Sequence, residues 1–223
     1  MKLSRQQFSK LLQENKLVLS LIGMSNIGKT YWSKELQSMG FRHFNCDDLI
    51  ETNLAPVLKE FGFLGLEGVS RWMGQPYEEK FAINQQKYLS LEKKAMESIF
   101  NQIGNDMVQN TVIDTTGSVI HADKSICAKL RQCSLVIYIE ASEDIKEAMF
   151  DHYISEPKPV IFEDIFEQKE DETASQSLER CYWKLLNSRS NLYTEYADVV
   201  IPRQAIKENA RVDHFISLIK QSL

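Results

Sequence analysis

Nowhere among the 223 residues is there an apolar run long enough to cross a bilayer, which excludes a membrane-spanning helix. A basic excess is also missing: 26 lysines and arginines face 31 aspartates and glutamates, a formal net charge of -5. A general nucleic-acid surface needs the opposite balance, so nucleic acid is set aside as a partner. Cysteine is scarce. Cys46, Cys127, Cys133 and Cys181 contain no C-x-x-C pair, and no histidine completes a zinc pattern. Reduced thiols in a cytoplasmic protein are the simplest account, with Cys46 and Cys133 beside strands as core residues. Internal repeats and low-complexity tracts are absent. Met1 to Gln13 lacks the apolar middle and small-residue cleavage site of a signal peptide. Leu3, Phe8, Leu11 and Leu12 instead give residues 1–16 the pattern of an amphipathic helix packed on the domain. The basic face of that helix, Lys2, Arg5 and Lys10, is weak for a membrane surface.

What is present is an alternation of strand and helix patterns. Leu17–Ile22 is a continuous apolar run, as in a strand buried on both faces of a parallel sheet. Phe41–Asn45, Thr111–Asp114, Leu135–Glu140 and Asp198–Ile201 are the other strand candidates. Helices are expected over 31–39, from Asp47, over 77–102, 141–154, 178–196 and 205–221. Residues 55–76 hold Gly62, Gly65, Gly68 and Gly74 among aromatics and leucines, and read as irregular with short helices. Residues 155–175 are polar, acidic and proline-bearing, as in a mobile loop whose acidic face points to solvent. The expectation is one α/β domain with a mostly parallel sheet.

The first strand runs into G-M-S-N-I-G-K-T, which fits G-x-x-x-x-G-K-[ST]. The glycines let the backbone turn so that successive N–H groups point at phosphate oxygens. The residues concerned are Gly23, Met24, Ser25, Asn26, Ile27, Gly28, Lys29 and Thr30. Lys29 reaches the β- and γ-phosphates, and the Thr30 hydroxyl ligates Mg²⁺. The strand before and the helix after supply the context this motif requires.

Beyond the second strand comes F-N-C-D-D-L-I-E. In an open α/β sheet, ligands sit outside the carboxyl ends of the strands, which places Asn45 and Asp47 toward the γ-phosphate. A carboxylate there can orient an acceptor hydroxyl and take its proton, or hold Mg²⁺ through water; alternatively Asp47 and Asp48 serve as a helix cap. Asp114 ends the V-I-D strand, either as a carboxylate near Mg²⁺ or as a partner of the Thr-Thr-Gly turn after it. Trp32 is a core candidate. Trp72, with Met73 and Tyr77, packs in the core or lines the acceptor pocket. His152 is expected at the surface.

In order, the chain thus carries G-M-S-N-I-G-K-T, F-N-C-D-D-L-I-E, Y-L-S-L-E (88–92), V-I-D-T-T-G-S (112–118), K-P-V-I (158–161) and R-S-N-L-Y-T-E-Y-A-D-V-V-I (189–201). This set resembles the shikimate kinases, whose motifs are a P-loop, F-x-D-x-D-x-x-I-E, F-R-x-x-E, a glycine triplet, R-P-L-L and R-x-x-L-Y-x-E-x-A-D-x-x-I. The resemblance implies a P-loop NTPase fold with a five-stranded parallel sheet flanked by helices. It also implies a substrate-binding insertion over 47–105, a lid over 155–175, ATP with Mg²⁺, and a small hydroxylated acceptor. By position, Asp47, Glu92, Gly117 and Arg189 resemble acceptor-binding residues. Asn45 stands where the family has an aspartate near the metal, with Thr30 and Asp114 as the other metal candidates. Lys158 stands at the lid arginine and joins Lys29 and Asp47 as a catalytic candidate. A monomer is expected.

The departures fall on the acceptor half. Leu89 replaces the arginine of F-R-x-x-E, and a leucine cannot form the charged fork that holds a carboxylate. Thr116, Gly117 and Ser118 replace the glycine triplet. Arg71 is a replacement cation or a solvated surface arginine. The first reading is therefore an ATP-dependent kinase with an acceptor other than shikimate. The second is a catalytically impaired, ATP-binding regulatory or interaction module. A nucleotide or nucleic-acid end kinase is a third option, which the global acidity disfavours.

Overall fold

The structure, a computed structural model, describes residues 3–105, 108–156, 158–207 and 210–223. Five strands, β1 (Val18–Ile22), β2 (Arg42–Asn45), β3 (Thr111–Asp114), β4 (Leu135–Glu140) and β5 (Val199–Pro202), form one sheet in the order β2-β3-β1-β4-β5. All four pairings are parallel. The helices are α1 (Arg5–Gln13), α2 (Lys29–Ser38), α3 (Cys46–Glu60), α4 (Gly65–Met73), α5 (Phe81–Asn105), α6 (Val119–Ala122), α7 (Lys124–Cys133), α8 (Glu143–Ser155), α9 (Ala174–Tyr196) and α10 (Val212–Gln221). The expected five-stranded parallel sheet flanked by helices is what the chain forms. Among the described residues, no helix is long and apolar enough to cross a membrane.

Every residue of β1 is buried, as its unbroken apolar run requires of a central strand with helices on both faces. Trp32 of α2 stacks on Phe215 of α10, with ring centroids 4.6 Å apart, so Trp32 is the core residue its pattern indicates. At the N-terminus, Phe8 is buried and Arg5 Nη2 donates to the Gln221 carbonyl at 2.7 Å. Helix α1 thus packs on α10 of its own chain. Asn110 ties it to the sheet, accepting from Leu17 N–H and donating to the Leu12 carbonyl, both at 2.9 Å.

Residues 55–76 hold the short helix expected there, but their first part is regular rather than irregular. Helix α3 continues through Pro56 to Glu60, and α4 carries Gly65 and Gly68. Gly62, Gly65 and Gly74 have positive φ and mark the turns around α4. Trp72 is buried in the core rather than lining a pocket. The segment 158–173 corrects a second expectation. Most of its acidic residues face solvent, Glu172 instead pairing with Arg180, but Val160, Ile161 and Phe162 are buried, so this loop is packed onto the domain.

Register brings three strand ends together. Asp114 pairs with Leu21 on one side and Asn45 on the other, so β2, β3 and β1 end at one edge. The chain leaves β1 through Gly23, whose φ is +143°. A Cβ there would stand 2.8 Å from the Ile139 carbonyl oxygen of β4. Gly23→Ala is expected to lower the unfolding free energy by about 2 kcal/mol or more, since both the left-handed backbone and the contact oppose it. Urea unfolding checks this through a lowered midpoint at an unchanged m-value.

Candidate active site

The turn from β1 to α2 is the phosphate-loop candidate. Gly28, at φ +110°, is the N-cap of α2 and supplies no side-chain cap, so the first-turn amides face the cleft without one. Lys29 is buried, and its Nζ donates to the carbonyls of Gly23 at 2.9 Å and Met24 at 2.8 Å. Burial lowers its pKa, and the carboxylates of Asp114 and Asp47 work against that shift. The loop borders a cleft of about 490 Å³ whose far wall includes Leu66, Tyr88, Thr116, Gly117, Ser118 and Arg189.

Helix α3 brings Asp47 into the same cleft. Its cap is neither Asp47 nor Asp48 but Asn45, whose Oδ1 accepts from the N–H groups of Asp47 at 2.9 Å and Asp48 at 3.4 Å. That oxygen is therefore engaged at the helix end, and the Asp47 carboxylate is left to the cleft. The Tyr88 hydroxyl donates to Asp47 Oδ1 at 3.3 Å. Burial raises the Asp47 pKa, opposed chiefly by the Lys29 charge. Asp114 is 2% exposed, and among the described residues neither of its oxygens has a hydrogen-bond partner. His43 Nε2 lies 3.8 Å from its Oδ2, beyond hydrogen-bond length.

Helix α5 lays Gln85, Tyr88 and Glu92 on one inward face by their spacing of three and four residues. Glu92 is fully buried; Ser118 Oγ donates to its Oε2 at 3.0 Å, and Thr116 Oγ1 donates to Oε1. Burial pushes the Glu92 carboxyl up to about 8, so it is largely protonated at neutral pH. The folded state then holds a proton that the unfolded chain releases between pH 4.5 and about 8. Stability therefore falls as pH rises through that window, by on the order of a few kcal/mol. His121, held at about 4 against an ordinary 6.5 by burial, acts in the opposite sense below pH 6.5. Comparing wild type with Glu92→Gln isolates the carboxyl: the decline toward pH 8 is expected to disappear in the variant, read from urea midpoints across pH.

The other expected residues gather here too. The Thr116–Ser118 turn meets the phosphate loop so closely that a Cβ on Gly117 would lie 2.9 Å from Ser25 Oγ. The Tyr193 hydroxyl donates to the Gly117 carbonyl. Arg189, buried on α9, donates from Nη2 to the Ile161 carbonyl at 2.7 Å, and its Nε has no hydrogen-bond partner among the described residues. Lys158 reaches across to Asn26 Oδ1 of the loop. Thr30 is exposed in the cleft. His152 is half-exposed at its edge.

Two residues stand elsewhere. Leu89 is half-buried against the core and is not part of the cleft lining, so α5 brings no cation there. Arg71 is exposed, with its guanidinium 4.7 Å from the Phe63 ring centroid, beside a neighbouring cavity. Sequence reasoning gave no role to Tyr88 or Gln85. The available signal was polar atoms interrupting an otherwise apolar helix face.

No family model matches the chain, and no curated protein does. Solved structures do. A shikimate kinase from Acinetobacter baumannii in complex with shikimate is 16% identical over 96% of this chain and 95% of that one, with a TM-score of 0.56. The shikimate kinase from Bacteroides thetaiotaomicron is 14% identical, covers 92% and 97%, and has a TM-score of 0.56. That from Aquifex aeolicus is 15% identical, covers 92% and 97%, and scores 0.53. The chain has the fold of the shikimate kinases over nearly its whole length.

Proposed function

We propose that this protein is an ATP-dependent small-molecule kinase that transfers the γ-phosphoryl group to a hydroxyl of a small acceptor. One observation carries the reading: a single cleft joins an uncapped phosphate loop with its buried lysine to a carboxylate, Asp47, that among the described residues no cation contacts directly. The loop amides and Lys29 hold the phosphates, and Lys158 adds a second positive charge from the opposite side. Asp47 orients the acceptor hydroxyl and takes its proton as the oxygen attacks. Gly117 and Arg189 form the acceptor wall.

The residues also fit a divalent cation delivered with the nucleotide. Among the described residues there is no cluster of three or more His, Cys, Asp or Glu that would make a resident metal centre. A buried Asp114 with unpartnered oxygens and an exposed Thr30 hydroxyl are the oxygen donors at hand, suited to Mg²⁺ that keeps waters and phosphate ligands. When bound, Mg²⁺ would neutralise charge on the phosphate oxygens.

Purified protein with Mg²⁺-ATP and a panel of shikimate, polyols and hydroxy acids tests this. Acceptor-dependent ADP release in wild type, lost in Lys29→Ala, is the expected result. Leu89, which leaves the acceptor wall without a second cation, favours one other reading, a nucleotide-binding module without transfer. ATP binding with no acceptor-stimulated release across the panel would support that module instead.

A further inference from the structure

Gln85 lies on the inward face of α5, 6% exposed, and no step of the proposed transfer uses it. Its Oε1 accepts from the backbone N–H groups of Phe162 at 3.1 Å and Glu163 at 3.0 Å. Two other side chains converge on the same short stretch. Arg189 Nη2 donates to the Ile161 carbonyl at 2.7 Å, and His121 Nδ1 lies 2.7 Å from Glu163 Oε2. Glu163 has φ +49°, a left-handed conformation that a non-glycine residue keeps only where its surroundings fix it. The Phe162 ring is fully buried among aromatic neighbours, including Phe81 at 6.1 Å between centroids.

Three helices thus clamp Ile161–Glu163, and Lys158, just upstream, meets Asn26 of the phosphate loop. A lysine on an unanchored loop would lose backbone and side-chain freedom each time it met a phosphate. Here the backbone part of that ordering is complete in the folded chain. We propose that Gln85 is a positioning residue: by fixing Phe162 and Glu163 on α5, it holds Lys158 at the phosphate loop before any nucleotide arrives. The use made of Lys158 rests on the proposed transfer; its placement rests on the contacts alone.

The test is run on the full chain without nucleotide, by hydrogen exchange and by amine acylation of Lys158. Gln85→Met keeps length and helix propensity but removes the acceptor oxygen; Gln85→Glu keeps that oxygen. In the Met variant, exchange at Phe162 and Glu163 is expected to quicken at least tenfold and Lys158 acylation to quicken with it. Amides of β1 and β4 should exchange as in wild type, and the Glu variant should restore wild-type rates. Wild-type rates at both amides in the Met variant would overturn the proposal. So would loosened amides with unchanged acylation, or an equal acceleration throughout the sheet. ATP titration of the wild-type sample judges the transfer reading separately, because failure to bind leaves the exchange result standing.

Discussion

Asp47→Asn is expected to lower acceptor-dependent phosphotransfer by about two to four orders of magnitude while ATP binding stays within a few-fold of wild type. The side chain sits at the second position of α3, and the cap is made by Asn45, so the substitution leaves the helix end intact. Asparagine also keeps an oxygen for the Tyr88 hydroxyl. What disappears is the ability to take a proton. Because burial raises the Asp47 pKa, the carboxylate form is lost on acidification earlier than for an exposed aspartate. The wild-type rate should therefore climb with pH through that raised pKa, and the climb should be missing from the residual activity of the variant. Steady-state rates across pH, beside ATP titrations, check both. Loss of ATP binding with the fold intact would contradict the role given to Asp47.

Lys29→Met is expected to weaken ATP binding at least about a hundredfold, the cost of removing the buried amine that the proposed function assigns to the phosphates. Stability should fall by about 1–3 kcal/mol, since the Gly23 and Met24 carbonyls lose the amine that donates to them, partly offset because burial disfavours that amine's charge. The Lys29 charge is also what chiefly opposes the upward shift at Asp47. Without it, that shift should grow. Calorimetric titration with Mg²⁺-ATP and a urea unfolding curve separate the two effects. Lys29→Arg should not restore binding, because a planar guanidinium cannot make the same two contacts to the Gly23 and Met24 carbonyls within the turn. Wild-type affinity in the Met variant would remove the loop from the account.

Much of the framework was legible because its signals are local. Strands β3 and β4 fall on the expected residues, since each is a short apolar run bounded by polar or turn residues. The phosphate loop was legible because its glycines answer to backbone geometry rather than to distant partners. In residues 55–76 the short helix α4 was legible but the run of α3 on to Glu60 was not, because Pro56 and the glycines after it resemble residues that prevent a helix. Helices α6 and α7 were not anticipated, being short and closely spaced, with Asp123 capping α7 through the Ser125 N–H. The loop after Lys158 was expected to move because its acidic composition outweighed Val160–Phe162, the apolar triplet that anchors it. The Asn45 cap is local, two and three residues from its donors, but the adjacent Asp47 and Asp48 offer the same cap chemistry. Tyr88 on Asp47 and Gln85 on the loop depend on pairings across the fold, which no spacing along the chain displays.

The most direct test of the central claim is transfer of the γ-phosphoryl group itself. ATP labelled at the γ-phosphate would be incubated with the protein, Mg²⁺ and a small-molecule extract freed of macromolecules, beside the Asp47→Asn variant. The account predicts a new labelled low-molecular-weight compound with wild type and none with the variant. Label confined to ATP and inorganic phosphate in both samples, with ATP demonstrably bound, would contradict it.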